Sequence, residues 1–325
     1  MTAGPSTQDP TLDFEQHRRE LTGYCYRMLG SIFDAEDAVQ ETLTRAWKAY
    51  DRFEGRSTVR TWLYRIASNV CFDMLRASKR RARPVDVGEA WAVGGPIGEP
   101  VEHERWIEPV PDQIVLTSDG DPAERAVTHE SIRLAFLAAV QYLPPRQRSV
   151  LILRDVLAWQ AREVAELLDT SVAAVNSALQ RARATLASHD LAADRDRGVP
   201  VSEPDAALLD RYMRAFESYD LESLTHVIAE DATQSMPPYA LWLSGREDIF
   251  AWWTGPGADC RNSRLVPTRA NGLPAFGQYR PSGPNGEHRP WSLQVLEFEG
   301  GRIAHMTFFL DTARLFPLFG LPDEL

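Results

Sequence analysis

The chain of 325 residues carries a formal net charge of −11 and is 44% hydrophobic, which is typical of a globular protein with two or three domains. The negative charge argues against a protein that coats DNA without sequence preference. No apolar run approaches the roughly 20 residues of a membrane span. Cys25, Cys71 and Cys260 form neither a CxxC pair nor a metal-binding spacing, so the sequence predicts no metal, no cofactor and a cytoplasmic location.

Residues 10–83 show helical apolar spacing, which predicts an all-α domain. The predicted helices cover 14–29, 34–50 and 58–81. The positions of the second helix that the spacing directs toward a core are Ala38, Leu43, Ala46 and Trp47. This helix also has an acidic edge between residues 34 and 41. The edge either adds favourable charge to the helix N-terminus or forms a docking face for a basic partner.

Aromatic and basic residues are interleaved over 50–83, and five of the eight residues from Arg76 to Arg83 are basic. This pattern suits unpaired DNA, because bases stack on aromatic rings and phosphates pair with cations. The alternative is that Trp62 and Phe72 simply fill the core.

Residues 84–122 are rich in proline, glycine and acidic side chains. Such a composition buries too little apolar surface to fold alone, so we predict an extended linker.

Residues 123–190 predict a small all-α module, and its last two helices, 161–168 and 170–186, are separated by a short turn. Two short helices joined in this way form a helix-turn-helix, whose second helix enters the DNA major groove. The apolar stripe of the second helix consists of Val172, Val175, Leu179, Ala182 and Leu186. Its opposite face carries small residues, amides and arginines, which match base edges and phosphates unless the face is merely solvated.

LPPRQRSVLILRDVLAWQAREVAELLDTSVAAVNSALQRARATL, residues 143–186, resembles region 4 of sigma-70 RNA polymerase sigma factors of the extracytoplasmic-function (ECF) group. DAEDAVQETLTRAW and TWLYRIASNVCFDMLR resemble region 2 of the same group. The resemblance implies that region 4 reads the −35 promoter element and touches the β flap of core RNA polymerase. It implies that region 2 binds the β′ clamp helices and melts the −10 element.

The resemblance also implies residue roles. The residues implied at the −35 element are Asn176, Ser177, Gln180, Arg181 and Arg183. Those assigned to the −10 element, partly from the aromatic and basic pattern, are Trp62, Arg65, Asn69, Arg76, Lys79 and Arg80. Those implied to bind polymerase are Asp34, Glu36, Asp37, Gln40 and Glu41. WIEPVPD, residues 106–112, resembles a linker segment of the subgroup that carries an extra C-terminal domain, and there the linker is implied to communicate with that domain.

After a second linker at 191–204, residues 205–325 change to an α+β pattern. Helices are predicted over 206–219, 221–228 and 246–253, and strands over 264–272, 274–280, 291–301 and 302–311, with a hairpin turn at 299–301. Helices followed by a curved antiparallel sheet predict an α+β cone. The fold class is therefore multidomain, with two all-α domains followed by this cone.

NGLPAFGQYR, VLEFEGGRIAHMTFFLD and LFPLFGLP resemble the SnoaL-like branch of the NTF2-like superfamily, as fused to SigG/SigJ-type sigma factors. The superfamily fold encloses a pocket, so these residues either bind a small apolar ligand or fill the cone. The candidate pocket residues are Tyr212, Trp242, Trp253, Phe276, Trp291, His305, Phe308 and Asp311.

The sequence thus predicts a non-enzymatic sigma factor that directs core RNA polymerase to promoter DNA and is modulated in cis by its C-terminal domain. One alternative is a helix-turn-helix regulator that acts without polymerase. The acidic edge of the second helix offers the test, because charge reversal of Glu36 and Asp37 should abolish function only if docking to β′ matters. The other is a bifunctional protein with an isomerase or cyclase domain, which turnover assays would detect.

Overall fold

The computed structural model describes residues 14–77, 79–92, 94–116, 122–188 and 206–325. They form two compact units. The first comprises the described part of residues 1–81 and 107–195, and the second comprises that of 82–106 and 196–325. The predicted linker at 191–204 and the first residues of the predicted 10–83 domain lie outside the described residues. Among the described helices, none is both long and apolar enough to cross a bilayer.

The N-terminal region of the first unit contains three helices: α1 (Arg18–Leu29), α2 (Ile32–Ala49) and α3 (Val59–Ala77). Helix α1 ends at Gly30, whose φ of 73° is left-handed and therefore suits glycine. Helix α2 begins directly afterwards, because the side chain of Ser31 accepts a hydrogen bond from the Asp34 backbone N–H and caps the helix.

The helix-turn-helix region completes the first unit. Its helices are α4 (Asp112–Val115), α5 (Pro122–Glu130), α6 (Leu134–Val140), α7 (Pro145–Leu151), α8 (Ala161–Leu167) and α9 (Val172–Ser188), with a π-helical turn at Ile152–Val156. Pro145 occupies the first position of α7, where a missing N–H costs nothing. Within this unit, α1 packs against α7, and α3 packs against both α7 and α8.

The second unit is built on one six-stranded sheet with the strand order β2-β1-β6-β5-β4-β3. Its strands are β1 (Ile228–Ser235), β2 (Trp242–Ser244), β3 (Arg264–Ala270), β4 (Leu273–Pro281), β5 (His288–Glu299) and β6 (Arg302–Phe309). Strands β1 and β6 are parallel, and the other neighbours are antiparallel. Its helices are α10 (Ala206–Ser218), α11 (Leu221–Thr225), α12 (Arg246–Thr254) and α13 (Thr312–Leu318).

The predicted fold class, two helical regions followed by an α+β sheet domain, is confirmed. The turn predicted at 299–301 joins β5 to β6, and Gly300 and Gly301 both have positive φ. Strands β1 and β2 were not predicted. Residues 82–106 also differ from expectation, because they belong to the compact second unit, whereas their composition predicts an extended linker.

Candidate nucleic-acid interface

Helices α8 and α9 form the helix-turn-helix, and local hydrogen bonds fix where each begins. The Gln160 backbone N–H donates to Glu163 Oε2 at 2.7 Å at the start of α8. Ser171 Oγ accepts from the Ala174 backbone N–H at 3.1 Å and caps α9. Between the helices, Asp169 adopts a left-handed φ of 50°. These local contacts fix the starts of both helices and the tight turn between them.

Helix α9 buries one face and exposes the other. The residues of the buried stripe are Val175, Leu179, Ala182 and Leu186. The prediction that Val172 belongs to this stripe was wrong, because its side chain is 43% exposed on the first turn. The candidate −35 contacts are all exposed, and they are Asn176, Ser177, Gln180, Arg181 and Arg183. This face presents amide donor–acceptor pairs and guanidinium groups to solvent, which is the chemistry that reads base edges and phosphates.

Arg183 differs from the other candidates because it is ion-paired with the scaffold. Its Nη2 lies 2.7 Å from Asp155 Oδ1, and this hydrogen-bonded carboxylate raises the pKa of Arg183. The pair fixes the guanidinium at the edge of the exposed face, a position suited to a phosphate rather than to a base.

Helix α3 carries the first four candidate −10 residues, and they lie in different surroundings. Trp62 is partly buried between the rings of Phe14 and Phe53, whose centroids lie 6.1 and 4.8 Å from its own. Asn69 is exposed. Part of the Trp62 ring is therefore packed in the core. This agrees in part with the alternative interpretation, in which the aromatic residues of this segment fill the core.

The basic candidates on and after α3 are already engaged within the first unit. Arg65 Nη2 donates to the Glu166 carbonyl oxygen at 2.7 Å, and Arg76 Nη1 donates to Asp73 at 2.9 Å. The guanidinium of Arg80 lies 4.0 Å from the centroid of the Tyr142 ring. Lys79 is exposed. The structure thus does not gather these side chains into one open cationic groove.

The acidic edge lies on α2. Glu36, Asp37, Gln40 and Glu41 are exposed, and Glu41 forms a surface ion pair with Arg45 at 2.7 Å. Asp34 is instead half-buried and accepts a hydrogen bond from Arg81 Nη2 at 2.6 Å, which ties the end of the N-terminal region to α2. Four of the five predicted residues therefore form one accessible face.

Trp47 belongs to this face, contrary to prediction. Its side chain is 61% exposed, so the prediction that it points toward a core was wrong. The buried stripe of α2 ends at Ala46, and the next residue is rotated about 100° away from it. Trp47 lies seven residues, nearly two full turns, after Gln40, so both side chains lie on one side of the helix. An exposed indole beside carboxylates is a feature typical of protein-binding surfaces.

The interior of the second unit holds half of the candidate pocket residues. Tyr212, Trp253, Phe276 and Phe308 are buried in its hydrophobic core. The other four are elsewhere. Trp242 donates its indole N–H to the Gly88 carbonyl oxygen, and Trp291 is stacked on Arg280 near the surface, 3.8 Å from guanidinium carbon to ring centroid.

His305 and Asp311 also lie away from the core. His305 Nδ1 is 2.9 Å from Thr233 Oγ1, and its side chain is 32% exposed. Asp311 lies 3.6 Å from His103 of the linker. His305 Nε2 lies 3.8 Å from Glu299 Oε1, so each of these two candidates has a partner other than the other candidate, and both pairs lie outside the core.

Polar groups inside the second unit are neutral amides and hydroxyls, which the sequence analysis did not identify. Tyr212 donates to Gln294 Oε1 at 2.8 Å, and Gln294 Nε2 donates to Gln278 Oε1 at 2.9 Å. Burial holds the pKa of Tyr212 well above its usual range, so the phenol stays protonated. The sequence contained a signal for this network, because Gln278 and Gln294 occupy positions in apolar strands whose side chains alternate between the two faces of the sheet. The signal is weak, because glutamine is rarely buried.

A second buried amide stands apart from this network. Gln234 is fully buried, and its Oε1 accepts the indole N–H of Trp253 at 2.9 Å. Its Nε2 has no hydrogen-bond partner among the described residues. A fully buried amide donor without an acceptor is unusual in a folded protein.

Residues 82–106 fold against the second unit through two tryptophans. Trp91 is 9% exposed, meets Trp252 edge to face at a centroid distance of 5.2 Å, and its backbone N–H donates to the Trp242 carbonyl oxygen. Trp106 is 3% exposed and donates its indole N–H to the Pro238 carbonyl oxygen at 3.0 Å. One backbone hydrogen bond thus joins this segment to β2, the edge strand of the sheet.

The two ends of this linker segment meet. The Ala82 backbone N–H donates to the Arg105 carbonyl oxygen at 2.8 Å, and Ala82 forms a bridge with Trp106. Residues 82–106 therefore form a closed loop. Across the part of the chain that the structure describes, no group of three or more His, Cys, Asp or Glu side chains is placed to hold a metal.

Comparisons with known proteins agree with this organisation. Residues 14–81 match the family Sigma-70 region 2, residues 133–186 match Sigma-70, region 4, and residues 209–306 match the SnoaL-like domain. The chain is 47% identical over 316 residues to the ECF RNA polymerase sigma factor SigG of Mycobacterium tuberculosis, covering 96% of this chain and 83% of the relative. It is 30% identical over 229 residues to the ECF RNA polymerase sigma factor SigJ of the same organism, covering 68% of this chain and 62% of the relative.

The fold is also similar to a solved structure. The crystal structure of the Mycobacterium tuberculosis extracytoplasmic function sigma factor SigJ covers 92% of this chain and 95% of its own, with a TM-score of 0.59 and 23% sequence identity.

Proposed function

This chain belongs to the extracytoplasmic-function group of the sigma-70 family, and we propose that its C-terminal unit restrains its sigma activity by holding the interregion linker. As a sigma factor, the protein directs core RNA polymerase to promoters for transcription initiation. The single observation that carries the proposed restraint is the closed loop of residues 82–106, which is part of the C-terminal unit.

The length of the linker supports this proposal. By their names, the −10 and −35 elements are separated by about 25 base pairs, which is about 85 Å of B-form DNA. Residues 82–106 would span at most about 85 Å if fully extended. In the closed loop their ends are hydrogen-bonded to each other at 2.8 Å. While residues 82–106 are held in this loop, they add nothing to the distance that the chain can span between regions 2 and 4. Regions 2 and 4 therefore bind both promoter elements only after the loop is released.

For the polymerase we propose docking through the exposed face of α2, made of Glu36, Asp37, Gln40, Glu41 and Trp47, against the β′ clamp helices. The carboxylates would steer a basic partner and the indole would supply apolar contact area. For the −35 element we propose Asn176, Ser177, Gln180 and Arg181 as base contacts and Arg183 as a phosphate contact. Contact of region 4 with the β flap, a −10 role for the polar side chains of α3, and a cytoplasmic location are further parts of this proposal.

We propose that the C-terminal unit acts without catalysis. Its interior polar groups are neutral amides, hydroxyls and a phenol whose pKa is raised by burial, and none of these is poised to move a proton near neutral pH. Satisfied neutral networks of this kind make a core rigid, which suits a docking body for the linker.

The test measures hydrogen exchange of the full chain with and without core polymerase. Backbone amides between 88 and 106 are expected to be protected in the free protein and to lose protection when core binds. Trp91→Ala should weaken linker docking, raise exchange in this segment without core, and raise transcription at a limiting sigma concentration by about tenfold at most. Trp291→Ala, which removes a surface indole of the same unit, is the matched control and should change neither. Unprotected linker amides in the free protein would refute the proposed restraint.

A second candidate function, binding of a small uncharged ligand, is favoured by the unpartnered Nε2 of buried Gln234. An acceptor oxygen on an aromatic or aliphatic molecule would satisfy this donor beside Trp253. Native mass spectrometry of the purified full chain tests it. A retained mass that Gln234→Leu abolishes supports the ligand, and an unmodified chain mass in both proteins opposes it.

A further inference from the structure

Val172 is one of three large apolar side chains that are exposed in the described part of the first unit, together with Trp47 and Val127. It is 43% exposed and lies in the first turn of α9, outside the buried stripe that packs this helix against its own region. An apolar side chain that is left in water gains free energy when a partner covers it. The position of Val172 on α9 indicates which partner that is.

Val172 lies on the same side of α9 as two side chains that we assign to base contacts. Asn176 follows it by four residues and Gln180 by eight, and residues four apart are neighbours on one helix surface. All three side chains are exposed. Eight residues span about 12 Å of helix axis, which corresponds to roughly three to four base pairs of B-form DNA. Val172 therefore lies over a different base pair from Gln180 when α9 lies along the groove.

The first turn of α9 is shaped for a close contact. Ala173 and Ala174 are both exposed, and their small side chains let this turn approach a surface closely. Ser171 Oγ accepts the Ala174 backbone N–H at 3.1 Å, so the turn that carries Val172 is capped. A β-branched side chain has few rotamers in a helix, so Val172 loses little conformational entropy when it is covered.

The DNA major groove contains one apolar group that a valine can cover. Base edges there present hydrogen-bond donors and acceptors, and thymine adds a methyl group at C5. Valine has no polar side-chain atom, so among these features it matches only the methyl group. Arg181 and Arg183 are exposed on the same helix and favour a polyanion as the partner of this face. The chemistry around Val172 therefore points to DNA and, within DNA, to thymine.

We propose that Val172 is a specificity-determining residue that reads a thymine of the −35 element through its C5 methyl group. The proposal rests on the proposed −35 role of α9 and adds an apolar contact to the polar contacts assigned there. Uracil differs from thymine only by lacking this methyl group, and its hydrogen-bonding edge is the same. Replacing thymine with uracil thus removes the contact of Val172 and leaves the polar contacts in place.

The test uses the full chain, purified core polymerase and the promoter upstream of the chain's own gene. Each thymine of the −35 element, on either strand, is replaced in turn by deoxyuridine, and promoter affinity of the holoenzyme is measured. For the wild-type protein, one replacement should lower affinity about fourfold, which is the effect of uncovering one buried methyl group. Val172→Ala should lower affinity for the unmodified promoter by a similar factor and should be insensitive to that same replacement. Groups that act independently would instead give additive effects.

Val127→Ala is the matched control. Val127 is 44% exposed on α5, outside the helix-turn-helix, so this variant should keep the wild-type response to every replacement. Val172→Ala should fold normally, because the side chain is exposed and alanine is the better helix former. Helical circular dichroism and core affinity equal to those of the wild-type protein check this.

Equal sensitivity of the wild-type and Val172→Ala proteins at every thymine would overturn the proposal, as would a wild-type protein that responds to no replacement. A promoter whose whole −35 element is replaced by unrelated sequence separates this failure from failure of the proposed function. If wild-type initiation falls on that promoter but no uracil effect depends on Val172, only the methyl contact is wrong. If initiation is unchanged, α9 does not read this element and both proposals fail.

Discussion

Two exposed helix faces of the first unit have opposite chemistry. Helix α9 presents amides and arginines, whereas α2 presents carboxylates and an exposed indole. Phosphates attract the first face and repel the second, so α9 suits DNA and α2 suits a basic protein surface. The comparison shows why the net charge of −11 does not exclude DNA binding: charge is sorted by helix, and each exposed face suits a different partner.

The largest effect should come from reversing charge on α2. Glu36→Lys with Asp37→Lys places two cations where a basic partner is proposed to dock, and like-charge repulsion should weaken core binding about 100-fold or more. Binding of fluorescent full-length protein to purified core measures this. The control is Glu247→Lys with Asp248→Lys, an adjacent Glu–Asp pair in the first turn of α12, which should leave core affinity unchanged. Equal losses in both proteins would show that the effect is one of net charge.

Trp47→Ala should have the next largest effect. Removing an exposed indole from a docking face that depends on it typically costs about 2 kcal/mol of binding, or about 30-fold in core affinity. Because Trp47 is 61% exposed, the thermal midpoint should stay within about 2 °C of wild type. A large drop in the thermal midpoint with unchanged core affinity would show that Trp47 stabilises the fold and does not contact core polymerase.

Gln180→Ala should leave core affinity intact and affect promoter choice. Losing one amide contact to a base costs about 1–2 kcal/mol, so discrimination at one −35 base pair should fall about tenfold. Transcription from a set of single-base promoter variants, with saturating core, measures it. Loss of activity by the same factor on every variant would contradict a base-reading role for Gln180.

Arg183→Ala should have the smallest effect. Its guanidinium is already paired with Asp155, so a phosphate contact replaces an existing ion pair and gains little. Promoter affinity of the holoenzyme should fall about twofold on all sequences, and the slope of log affinity against log salt should fall by about one. A sequence-dependent loss would place Arg183 among the base-reading residues.

Local patterns in the sequence were sufficient for most elements. The apolar repeat of α9 and the tight turn before it identified the helix-turn-helix, because both signals lie within neighbouring residues. The same reasoning failed for Trp47 and Val172, which sit at the ends of buried stripes. The spacing of apolar residues predicts which face of a helix is buried. How far along the helix the burial extends depends on which distant helix packs against that face.

Long-range packing explains the remaining differences. Composition predicted that residues 84–122 stay extended, yet Trp91 and Trp106 find apolar and carbonyl partners on the second unit. No local rule reveals a partner more than 100 residues away. Likewise, Gln234, Gln278 and Gln294 form an interior set only because β1, β4 and β5 bring them to one side of a curved sheet, and pocket residues chosen for aromatic character missed them.

The most direct test of the account is transcription by purified core polymerase from the region upstream of the chain's own gene, with the full chain or with a chain ending at residue 198. We predict that both proteins bind core and start at the same site, because α2 and α9 are present in each. We predict a higher initiation rate for the shortened chain, because the unit that holds the linker is gone. Equal rates at limiting and saturating sigma concentration, with equal core binding, would contradict restraint by the C-terminal unit.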